Sequence, residues 1–158
     1  MVLGMPLSTF TTVHVALSLI GIASGFIVVL GMISSERLNA LTLLFLVTTV
    51  LTSLTGFLFP FHGVTPGIIV GVLSLIALVP AILARYSSHL LGKSRGTYVI
   101  CSVLALWFNV FVLIVQSFMK VPALHALAPV AFKVAQAAAL VLLIVLGTLA
   151  AKKFHPSV

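Results

Sequence analysis

The spacing of charged residues does most of the parsing, because the stretches between them are almost wholly apolar. Residues 1–35 carry no Asp, Glu, Lys or Arg, and neither do 38–84, 96–119, 121–132 and 134–151. A helix needs about 20 mostly apolar residues to cross the ~30 Å hydrocarbon core of a bilayer. The run 38–84 is therefore long enough for two crossings, and its middle reads Phe59-Pro60-Phe61-His62-Gly63-Val64-Thr65-Pro66-Gly67. Pro60 stops one helix, and Thr65 followed by Pro66 supplies an N-cap and a proline at the first helical position. The pattern predicts five spans, near 11–33, 38–60, 66–86, 96–120 and 129–151, in one domain covering 1–158. The expected fold is an all-α, polytopic membrane bundle. Pro80 falls inside the third span and is expected to kink it. The first span lacks a basic region before its apolar stretch and is long enough to cross, which argues against a cleaved signal peptide.

Composition supports this parse. Of 158 residues 62% are hydrophobic and 6% charged, with eight Lys or Arg against one acid, Glu36. An average soluble domain carries roughly a quarter charged residues, and a disordered chain needs low hydrophobicity. Both classes are excluded. The net charge of +7 calls for no nucleic acid, because the cations sit at span ends. Arg37, Arg85, Lys93, Arg95, Lys152 and Lys153 fall on one side of the predicted spans, and Lys120 and Lys133 on the other. Basic residues accumulate on the cytoplasmic side, so the amino terminus is expected outside and the carboxyl terminus inside, in a bacterial cytoplasmic membrane.

The polar residues within the spans hold the candidate chemistry. His14, Ser18, Gly21 and Gly25 recur at spacings of four, three and four, one face of a helix on which small residues admit a neighbouring backbone. His14 is thus expected to point into the bundle, either as an interhelical hydrogen bond or as a ligand for haem or a metal. His62, in the turn between spans two and three, and His125, in the connector 121–128, fall on the same outer side as His14. Neutral imidazole ligates iron, copper or zinc, and two histidines from different helices hold haem b axially. These three are the candidate haem or metal ligands. On the fourth span Ser102, Asn109 and Gln116 stand seven residues apart, as do Thr42, Thr49 and Gly56 on the second. Asn109 and Gln116 read either as glue between helices or as the polar lining of a haem edge or quinone site. Lys133, one turn before Gln136, either meets an anionic group such as a haem propionate or snorkels outward. His89 and His155 fall outside the spans and read as loop residues.

Absences narrow the chemistry further. With Glu36 as the sole carboxylate side chain, one chain cannot build a two-carboxylate hydrolase, a diiron site or an acid-based proton relay. There is no glycine-rich phosphate loop. One cysteine, Cys101, forms no internal disulfide.

A span opening on His14 and running through small residues to Gly25, a short turn with Arg37, and Thr52-Ser53-Leu54-Thr55-Gly56 before Phe59-Pro60 resembles small bacterial multi-span membrane proteins of uncharacterised function. Their helical hairpins are similar to cytochrome-b-type bundles. The resemblance implies haem held by histidines inside helices and electron exchange with quinone or a soluble acceptor. It allows one haem near the outer face. Two other functions stay open: a non-catalytic subunit or assembly partner of a larger membrane complex, and a small transporter or channel working as a homo-oligomer.

Overall fold

In hydrocarbon a single segment can satisfy its own backbone only as helix, and the apolar runs do so. The computed structural model describes residues 1–60 and 63–156. It contains α1 (Leu7–Ile33), α2 (Asn39–Gly56), α3 (Pro66–Ile82), α4 (Ser94–Lys120), a short α5 (Pro122–His125) and α6 (Val130–Lys153). Among the described residues, α1, α2, α3 with its continuation, α4 and α6 are long and apolar enough to cross a membrane. The fold is all-helical, and it fits an integral membrane protein.

Helix ends follow local chemistry. The Thr65 hydroxyl accepts from the Ile68 amide at 3.4 Å, with Pro66 in the first turn, as the sequence predicts. At the end of α1, Ser35 takes a left-handed conformation (φ 62°). Its amide bonds to Met32 O at 3.0 Å while that of Glu36 reaches back to Gly31 O at 2.8 Å. That pair of bonds satisfies carbonyls the helix would otherwise leave open. The second span stops at Gly56, short of the expected Pro60; Pro60 disfavours helix at Phe59. Phe57 and Leu58 close it with tighter bonds to Leu54 O and Thr55 O. α3 runs through Pro80 and widens, three residues later, into a π-helical turn at Leu83–Ser87.

The helices form a closed ring in the order α1, α2, α3, α4, α6, with α4 also touching α1 across the middle. Thr42, Thr49 and Ser102 are fully buried in this interior, and Asn109 nearly so. Part of this seam is satisfied by hydroxyls that bond within their own helix, whereas Ser102 Oγ has no partner among the described residues. Thr48 donates to Leu44 O, Thr52 to Thr48 O and Ser53 to Thr49 O. Asn109 Nδ2 donates across to Thr49 Oγ1 at 3.3 Å. Gly21 makes room for this contact: a Cβ there would lie 3.1 Å from Thr48 Oγ1 and 3.3 Å from Thr49 Oγ1.

The two ends differ. The basic end carries the α1–α2 and α3–α4 loops and the carboxyl-terminal tail. There the π-helical turn buries Arg85, whose Nη2 donates to Arg37 O at 2.7 Å and Asn39 Oδ1 at 2.6 Å. Its guanidinium lies over the Tyr98 ring, 5.2 Å from the centroid. Phe154 is buried against the same tyrosine, and the His155 amide donates to Ser35 Oγ at 2.8 Å. The opposite end, the hairpin end, carries the amino-terminal start of α1, the α2–α3 turn and the connector around α5.

Candidate functional site

The hairpin end is built around His14, half-buried on α1 one turn after the buried Phe10. Its Nδ1 lies 2.8 Å from Thr55 Oγ1 on α2. Thr55 Oγ1 is also 2.7 Å from Leu51 O. A hydroxyl has one proton to donate. The assignment that satisfies all three groups sends that proton to Leu51 O, so that Nδ1–H of His14 donates to Thr55. The other ring nitrogen, Nε2, then keeps its lone pair. Phe59 packs edge-on to the imidazole at 5.1 Å and against Phe10 at 5.0 Å. Gly56 lies beside the ring, where a Cβ would meet His14 Cε1 at an ordinary contact distance of 3.7 Å. Lys120 ends α4 at this same end of the bundle. The result is an oriented imidazole in a mostly apolar wall, with one nitrogen able to ligate or to accept a hydrogen bond.

The other candidate residues are placed variously. His62 lies outside the described residues. His125 ends α5 and is exposed, and Lys133 is exposed in the first turn of α6. Asn109 lies deeper, in the seam with Thr49. Gln116 shares the spacing of Ser102 and Asn109 but is exposed. The spacing alone could not show this, because it fixes a face of α4 and not what lies opposite that face at each level. Gln136 joins α6 to α4, donating from Nε2 to Phe111 O at 3.1 Å. Among the described residues, no three His, Cys, Asp or Glu side chains gather as a metal site.

Thr55 is the partner that sequence reasoning missed. A signal was present, since Thr48, Thr52 and Thr55 recur at four and three residues along one side of α2. What the pattern could not supply is which residue of another helix meets that stripe.

No family model, no curated protein and no solved structure matches the chain.

Proposed function

We propose that the protein is a multi-pass protein of the bacterial cytoplasmic membrane, amino terminus outside, whose external end holds haem b on His14 for electron transfer. The Thr55–His14 hydrogen bond carries this reading. A ligating histidine typically donates its second ring N–H to a fixed acceptor, which sets the tautomer and the ring orientation. Thr55 is such an acceptor. Haem can be held by one axial imidazole, whereas a structural zinc ion takes four protein donors and a catalytic one three. The residues described at this end suit haem better than a bare metal. Phe10 and Phe59 offer an apolar wall, and Lys120 and Lys133 bring positive charge to the end where propionates would emerge. When bound, haem would supply the one-electron chemistry; the chain supplies the nitrogen, its aim and the surrounding surface.

Haem content of the purified protein tests the assignment. His14→Ala is expected to abolish it. Thr55→Val keeps the imidazole but removes its acceptor, and should weaken haem affinity by about 10- to 100-fold. Equal haem content in wild type and both variants would overturn the role given to His14.

The orientation rests on the charge count, with six of eight Lys and Arg at the basic end. A reporter fused to the carboxyl terminus is expected to read as cytoplasmic, and one inserted in the 121–128 connector as external. The reverse pattern would place His14 on the cytoplasmic side and remove the external haem.

A second reading, a non-catalytic subunit of a larger membrane complex, is favoured by α6. Leu143 and Ala150 are the residues this helix buries within the chain, so most of its surface is available to a partner. Under that reading the protein purifies colourless, with a defined companion.

A further inference from the structure

At the basic end, the α3–α4 loop, the start of α4 and the end of α6 enclose an open cleft of about 550 Å³. Lys93, Arg95 and Gly96 line it where α4 begins, and Ile100, Cys101 and Ala151 line it further into the bundle. Its charge is one-sided. No carboxylate is among the lining residues, Ala151 is followed by the exposed Lys152 and Lys153, and the whole chain has one acid, Glu36. Its position is that of a headgroup, because α4 enters its apolar run just after Arg95. Its walls change character in the direction a lipid would, from two cations to an exposed isoleucine and an alanine. Basic pockets between membrane helices at this level recognise phosphate headgroups.

We infer that this cleft seats the phosphate group of an anionic phospholipid from the surrounding bilayer. Lys93 and Arg95 contact the phosphate, and an acyl chain passes Ile100 and Ala151. Free inorganic phosphate presents the same anion but has nothing to place on the apolar part of the wall. A bilayer lipid satisfies both halves. The site is independent of the haem reading, since it lies at the other end of the bundle.

Cys101, the single cysteine and a free thiol, lines the cleft and reports on its occupancy. The experiment measures the rate at which N-ethylmaleimide, a neutral reagent, modifies Cys101 in nanodiscs. Discs of phosphatidylcholine alone are compared with discs of increasing phosphatidylglycerol content. In the wild type, phosphatidylglycerol is expected to protect the thiol, and inorganic phosphate added to phosphatidylcholine discs is expected to leave the rate unchanged. Each basic residue near an anionic surface is worth about 1 kcal/mol, or roughly five-fold in affinity. Lys93→Gln with Arg95→Gln should therefore need roughly 25-fold more phosphatidylglycerol for the same protection. The double variant also controls for the lower local pH at an anionic surface, which it shares with the wild type. A labelling rate insensitive to phosphatidylglycerol, or a double variant that responds as the wild type does, would overturn the site. Protection by inorganic phosphate in phosphatidylcholine discs would overturn the lipid as its occupant.

Discussion

Gly25→Leu is expected to destabilise the bundle by about 3 kcal/mol, at the upper end of what overpacking costs. The reason is local and geometric. A Cβ at Gly25 would lie 2.8 Å from Leu106 Cδ1 on α4 and 2.9 Å from the Phe45 ring on α2. Leu106 and Phe45 are both fully buried, so neither has space to withdraw into. The side chains of α2 and α4 fill the notch that Gly25 leaves, and the rest of a leucine side chain has nowhere to go except between the helices. Gly25→Ala should fall in the same direction by less. Gly96→Ala should move the other way, because its Cβ would meet nothing within 4 Å and alanine is favoured over glycine in a helix by roughly 0.5–1 kcal/mol. Thermal unfolding in detergent distinguishes these signs. Unchanged stability in Gly25→Leu would mean that this face of α1 looks at lipid, and His14 would lose its place against α2.

The second large effect is expected at Arg85. Arg85→Leu removes the donor to Arg37 O and Asn39 Oδ1 and leaves the Tyr98 ring without its cation. Hydrogen bonds to a charged group contribute roughly 1.5–3 kcal/mol each, and Arg37 O keeps a second donor in Thr42 Oγ1. A loss of about 3 kcal/mol is expected. Arg85→Lys should recover part of it, since an ammonium keeps the charge and its donors, while the shorter side chain reaches less far than Nη2, the one nitrogen that serves both acceptors. The same thermal measurement applies. Stability equal to wild type in Arg85→Leu would show that the α1–α2 loop is held by its backbone bonds alone.

Arg85 also marks where reading the sequence ran out. Its place in Leu83-Ala84-Arg85-Tyr86-Ser87 reads as a span-end cation, and the positive-inside count treats it like Lys93 or Arg95. Nothing in the residue types separates an α turn from the π-helical turn observed at Leu83–Ser87, yet it is that turn which buries the Arg85 side chain. The five spans were legible because hydrocarbon leaves a charge-free run few alternatives, and the Thr65 cap because its chemistry is local. Gly21 and Gly25 were legible as a packing face through their spacing. The candidate site was legible only in its first member. His14 declared itself by lying within an apolar span, but Thr55 is 41 residues away, and its pairing depends on how α1 and α2 rotate against each other. Topology places His125 and Lys133 at the same end of the molecule as His14 but fixes no distance between them; both are exposed.

The reduced-minus-oxidised optical spectrum of the purified protein is the most direct test of the account. The expected result is a Soret band at near-stoichiometric haem b in the wild type, absent from His14→Ala protein that keeps the helical content of the wild type. A colourless wild-type protein, or a Soret band undiminished by His14→Ala, would contradict it.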